Sequence, residues 1–179
     1  MTPLHSMIRF GVTTAALAVG LSAQAASYTF FGSASGETSY GQALTVTGLP
    51  QLGTTFSVAV DYTPAPISCT LAITPWAMWL LTGFSKQTWS GVPLPAQLPQ
   101  GFTLLVSPDA VTTMNVMSNS GCAPGWPSNA SPSFDITVPN TSNLVGVQLH
   151  QQILLSRLQQ GQVFVPPLAT NGGTLTVGL

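Results

Sequence analysis

Apolar residues recur at every second position in run after run along this chain, and a period of two is the spacing of one face of a β-strand. Over residues 54–63, Phe56, Val58, Val60 and Tyr62 share one face while Ser57, Ala59 and Asp61 share the other. The same alternation aligns Cys69, Leu71 and Ile73, then Phe134, Ile136 and Val138, then Val145, Val147 and Leu149, and finally Leu175 and Val177. Clusters of Pro, Gly, Asn and Ser punctuate these runs: TPAPIS, SGVPLPAQLPQG, SNSGCAPGWPSNASP and TNGG. Such residues supply turn geometry and, for proline, remove a ladder donor. The nearest approach to a helical period, QQILLSRLQQ at residues 151–160, reads equally well as strand plus turn. The expectation is an all-β, mostly antiparallel domain, either a β-sandwich or a small barrel.

The first residues follow a different logic. Arg9 is the one charge ahead of an apolar run at residues 11–21, and Ser22-Ala23-Gln24-Ala25 then offers small residues in an Ala-x-Ala arrangement. That is the layout of a secretory signal peptide cut after Ala25, since the run is short of the roughly 20 apolar residues that span a bilayer. The alternative is an uncleaved N-terminal anchor. Residues 1–25 are thus expected to be the signal peptide and residues 26–179 a single exported domain, secreted or at the cell surface, with no membrane span of its own.

Beyond residue 25 the charged side chains are Glu37, Asp61, Lys86, Asp109, Asp135 and Arg157, in a chain that is 4% charged where about 25% is ordinary. Nucleic acid is excluded as a partner because phosphate binding needs clustered Lys and Arg. Net charge near zero offers little repulsion between copies, so self-association is open to it. Cys69 and Cys122 are an even pair in an exported chain, and a disulfide is the default. Closing that loop of roughly 54 residues would stabilise by about 4 kcal/mol in the chain-entropy account. The other reading, free thiols or half a metal site, lacks neighbouring His and Asp ligands.

The residues for common chemistries are sparse. The chain has no HExxH, no GxSxG, no phosphate-cradling glycine loop and no DxDxDG, so no metal and no cofactor is expected. A carboxylate pair would have to come from Glu37, Asp61, Asp109 and Asp135. Asp61 and Asp135 sit on the polar faces of alternating runs, and Asp109 follows Ser107-Pro108 as a turn or cap residue. His150 shares a strand face with Gln148 and Gln152 and is expected to be a hydrogen-bonded surface histidine; a Ser-His-Asp site is the competing role. An enzyme is not expected.

The tryptophans, Trp76, Trp79, Trp89 and Trp126, fall in the central third of the chain. Core packing is the commoner fate for such rings, whereas exposed ones can stack on sugar faces and use the indole N–H. Trp76 and Trp79, three apart, fall on opposite faces of a strand and cannot form one platform. Trp126, in the CAPGWPSN loop beside Cys122, is the best placed for exposure, and Trp89 is the second candidate for ligand binding.

Short motifs in the second half resemble a module of secreted planctomycete and myxobacterial proteins. They are Gly83-Phe84-Ser85, Leu94-Pro95-Ala96-Gln97-Leu98, Val106-Ser107-Pro108-Asp109, Val138-Pro139-Asn140 with Leu144-Val145-Gly146, Gln152, and Thr170-Asn171-Gly172 through Leu175-Thr176-Val177-Gly178. Leu52-Gly53-Thr54-Thr55-Phe56 resembles the module's opening strand, so the likeness covers about residues 50–179. Gly101-Phe102 stands where the module usually has Gly-Cys, so no disulfide carries over. The resemblance implies a jelly-roll-like β-sandwich of extracellular location and no established activity. Function is therefore expected from a structural, adhesive or self-associating surface component, the alternative being a lectin-like carbohydrate-binding module and, behind both, a hydrolase. The final strand, residues 174–179, is expected to be an edge available for pairing.

Overall fold

A computed structural model describes residues 24–36, 41–63, 73–99, 101–119, 132–159, 162–163 and 168–179. The alternating runs are strands there, and the described residues contain no α-helix. In chain order the strands are β1 (Ser27–Phe31), β2 (Gly41–Thr47), β3 (Thr55–Thr63), β4 (Ile73–Gly83), β5 (Thr88–Trp89), β6 (Val92–Pro93), β7 (Ala96–Gln97), β8 (Thr103–Leu104), β9 (Ala110–Asn119), β10 (Ser133–Thr137), β11 (Gln148–Gln159), β12 (Gln162–Val163), β13 (Leu168–Ala169) and β14 (Gly172–Thr176).

Two antiparallel sheets pack face to face. The larger runs β1-β14-β11-β4-β9, with β12 and β13 also on β11, and the smaller runs β10-β3-β2. Phe56, Val58 and Val60, the apolar side of β3, are buried together with Leu44, Phe134 and Val138 of the small sheet. They meet Met78, Leu80, Ile153, Leu155, Leu168, Leu175 and Val177 of the large sheet. Phe56, Val58, Val60, Phe134, Val138, Leu175 and Val177 are the members of their alternating runs that the period of two assigns to one face, and burial of that face fixes the register. The all-β sandwich read from the sequence is the observed architecture.

Residues 151–159 of the helix-like run are strand, because β11 is the centre of the large sheet and is flanked by β4 and β14. Residues 144–147 depart from expectation. They leave a short 3-10 turn (Ser142–Leu144) and reach β11 only at Gln148. Another expectation is corrected: β14 is no edge. It pairs with β1 through Tyr28↔Leu175 and with β11 through Leu149↔Leu175. Running to the end of the sequence does not place a strand at the end of a sheet; the return of β1 covers it.

The register also sorts the other side of the large sheet. His150, Gln152 and Leu154 of β11, Trp79, Leu81 and Gly83 of β4, and Thr174 and Thr176 of β14 face away from the small sheet. That outer face is covered by the connection from β4 to β9, residues 84–109. Leu104, Leu105 and Val106 from the connection pack with Leu81, and Phe31, Trp79, Leu94, Leu98 and Leu154 border them.

Candidate functional site

Gln152 holds this covering layer to the sheet. Its side chain is wholly buried, and its Oε1 accepts from the Leu105 backbone N–H at 2.9 Å. Its Nε2 donates to the Thr103 carbonyl at 3.0 Å and to the Thr170 carbonyl at 2.9 Å. A buried amide is costly without partners, and here both N–H groups and the oxygen are used. The Thr170 carbonyl is free to accept because of a bulge. Leu154↔Ala169 and Gln151↔Gly173 bracket two residues on β11, 152 and 153, against three on the other strand, 170 to 172. The Thr170 hydroxyl takes the ladder acceptor's place, receiving the Ile153 N–H at 3.0 Å. The extra residue, Asn171, reaches the small sheet, where its Oδ1 accepts the Leu44 N–H at 2.8 Å.

The two ends of the connection are pinned to each other. Gly83 lies against Ser107 so closely that a Cβ there would sit 1.8 Å from the Ser107 carbonyl oxygen, which only glycine permits. Ser107 N–H donates to the Ser85 carbonyl at 2.8 Å, and Ser107 Oγ accepts from the Ser85 N–H at 3.0 Å. Asp109 Oδ2 accepts from the Phe84 N–H at 2.8 Å and from Ser107 Oγ at 2.7 Å. Those two bonds stabilise the carboxylate and hold its pKa below the ordinary aspartate range. Asp109, expected from its Ser-Pro-Asp setting to be a turn or cap residue, instead joins the two ends of the connection.

A two-residue hairpin stands on this base. Ser85 Oγ accepts from Gln87 N–H and Thr88 N–H at 3.1 Å each, and Leu94 N–H closes onto the Gln87 carbonyl at 2.7 Å. Trp89 pairs with Val92 across β5 and β6. The loop between them, Ser90-Gly91, has positive φ at both residues, 48° and 82°, as the tight primed hairpin turns require. Residues 87–93 are all exposed, with Trp89 at 38% and Val92 at 48%, and Phe84 at the hairpin's foot is 74% exposed.

His150 is not on the surface. It is 7% exposed, shares a 3.0 Å hydrogen bond between Nδ1 and Thr174 Oγ1, and meets the edge of the Phe31 ring at 6.1 Å between centroids. Lys86 Nζ lies 5.1 Å from the centre of that same ring. Burial, then the Lys86 charge, pushes the imidazole below its ordinary range. The expectation of a surface histidine is corrected here. Its strand face is polar and yet covered, because Phe31 and the Gly83–Ser107 contact lie over it.

The other expected residues fall apart in space. Asp135 is exposed on β10, where it accepts from Ser57 Oγ at 2.6 Å, and Asp61 is exposed on β3. Trp79 packs against the covering layer. Cys69, Cys122 and Trp126 lie outside the described residues, as does Glu37. Among the described residues no group of three or more His, Cys, Asp or Glu is placed to hold a metal, and no helix is long and apolar enough to cross a membrane.

The sequence points to Trp89 as a binding candidate and to Ser85 only as part of a motif, without its role under the hairpin, and Val92 is missed. The signal for Val92 is present in the spacing of Trp89-Ser90-Gly91-Val92, a Ser-Gly pair between two strand formers. Gly83, Ser85, Leu94, Leu98, Ser107, Asp109, Gln152 and Thr170 all serve the covering layer, whereas Phe56, Val138, Leu175 and Val177 lie in the core between the sheets. Compared with known proteins, the chain matches no family, no curated sequence and no solved structure.

Proposed function

We propose that this is an exported, non-enzymatic module, a β-sandwich of the jelly-roll-like kind, that acts by binding outside the cell through uncharged surface. The observation that carries the reading is the Trp89 hairpin. An exposed indole paired with Val92 is anchored by a serine hydroxyl, on a layer tied to the sheet by a buried glutamine. A ring carried on a hairpin whose backbone is already held loses less entropy on binding than one on a free loop, and tryptophan is enriched among the residues that dominate recognition surfaces. Around it are Gln87, Thr88 and Ser90, exposed and uncharged. Export follows from the Arg9 leader and the small residues before Ala26, and in that compartment Cys69 and Cys122 are paired.

A lectin-like role is the second reading, favoured by hydroxyl and amide side chains beside an exposed ring. Two probes separate them: a glycan array, and washed cell envelope from the exporting organism with and without protease treatment. Each is applied to the mature protein and to Trp89→Ala. Envelope binding that protease removes and Trp89→Ala abolishes supports a protein partner. Trp89-dependent binding to defined glycans supports the lectin reading. Binding to either that Trp89→Ala leaves intact overturns the hairpin as the recognising element.

A further inference from the structure

Among the described residues the large sheet ends in β1 and β9 and the small sheet in β10 and β2, and three of these edges are blunted. β1 and β10 are five residues each; β10 carries Asp135, with Pro139 just beyond it. On β2, the Leu44 N–H is already taken by Asn171 Oδ1. The fourth edge, β9, is ten residues, AVTTMNVMSN, itself without charge, proline or glycine, with Pro108 and Asp109 just before it. It pairs with β4 along its whole length, from Ile73↔Asn119 to Thr82↔Ala110, and no described residue pairs with its other side. Ala110, Val111, Thr112, Thr113 and Asn115 are exposed. A long, uncharged, unbulged edge is the kind that accepts another strand, since its outward N–H and C=O groups form a ready template.

We propose that β9 is the edge through which two copies of this chain pair, antiparallel about a two-fold axis, fusing their large sheets into one. The strand is its own complement. In a register centred on Met114, which overlaps Ala110–Ser118, Met114 falls opposite its counterpart, Thr113 opposite Asn115, and Val111 opposite Met117. No position brings like charges together, and opposite pairs of this kind favour association. An axis normal to the sheet keeps inner face with inner face, so the Met114 residues, which border the main core, meet across the junction. The inference shares with the proposed function only the premise that uncharged surface does the binding. It uses β9 rather than the Trp89 hairpin, so the two fail separately.

The test is sedimentation velocity over a concentration series of the mature protein, at low and high salt, with Thr113→Lys and the control Thr45→Lys. Both positions are exposed, one on β9 and one on β2, and circular dichroism checks folding. The expected result is a concentration-dependent dimer, indifferent to salt, whose dissociation constant rises about tenfold or more in Thr113→Lys and stays put in Thr45→Lys. A wild-type protein that is monomeric throughout overturns the proposal, including one that instead captures a different protein at β9. A dimer that Thr113→Lys leaves unchanged, or that both variants weaken alike, overturns it too.

Discussion

The large sheet is covered on its two faces by different means. On the inner face, Met78, Leu80, Ile153 and Leu155 meet Phe56, Val58 and Val60 of the small sheet, and apolar burial does the holding. On the outer face, the buried apolar residues Leu81, Leu104, Leu105 and Val106 are supplemented by Gln152, Ser107, Asp109 and Ser35, the last accepting the Thr103 N–H at 2.7 Å. Apolar burial is non-directional and scales with area. Hydrogen bonds are directional and fix one placement of a loop at modest net gain. The inner face is thus where the sandwich gets its stability, and the outer face is where a 26-residue connection, residues 84–109, is given one shape. The Trp89 hairpin belongs to the second.

The largest way to break this division is on the inner face. Phe56→Ala removes a ring that is 1% exposed at the centre of the sheet contact. It should cost about 3–5 kcal/mol and lower the melting temperature of the whole domain, with all probes shifting together. A loss confined to the covering layer would contradict the assignment.

Gln152→Met should come next. The shape is kept, but the Leu105 N–H and the Thr103 and Thr170 carbonyls lose their buried partner. Each unsatisfied group costs about 1–3 kcal/mol, a penalty that ends once the layer lifts and water enters. The expected outcome is a net cost of about 2–3 kcal/mol, seen in hydrogen exchange as lost protection at Leu105 and Ser107 while β3 and β11 keep theirs. Uniform loss across both faces would merge the two regions into one.

Acid should act on the same layer more weakly. The Asp109 carboxylate has its folded pKa depressed by the Phe84 N–H and the Ser107 hydroxyl. Its contribution is therefore present above the ordinary aspartate pKa and disappears as pH falls through the lower folded value. Amide exchange at Phe84, corrected for intrinsic rates, should rise in that acidic window, and Asp109→Asn should remove most of the pH dependence.

How much of this is legible in the sequence also divides by face. Inner-face residues announce themselves by alternation, because only one face of β3, β10 and β14 has to be apolar; the period of two alone puts Phe56, Phe134 and Leu175 on the buried side. The outer face misleads at His150 and Gln152. Polar residues at alternating positions mean solvent in a two-layer sandwich, but here a third layer brings its own donors and acceptors, so polarity no longer reports exposure. The groups of that layer that meet Gln152 lie 47 and 49 positions earlier in the chain, and no local pattern reports them. The Trp89 hairpin is half legible: the aromatic stands out, while its display depends on Ser85 and on the left-handed Ser90-Gly91 turn.

The smallest expected effect on stability accompanies the largest on function. Trp89→Ala, at a 38% exposed position on a hairpin outside both cores, should change the unfolding free energy by about 1 kcal/mol, less than either substitution above. The decisive measurement is binding of wild type and Trp89→Ala to washed envelope, titrated from about 50 to 500 mM salt, where the screening length shortens from above ten ångströms to a few. The account predicts wild-type affinity nearly flat across that range and lost in Trp89→Ala. Binding that collapses with salt, or that survives Trp89→Ala at full strength, would contradict it.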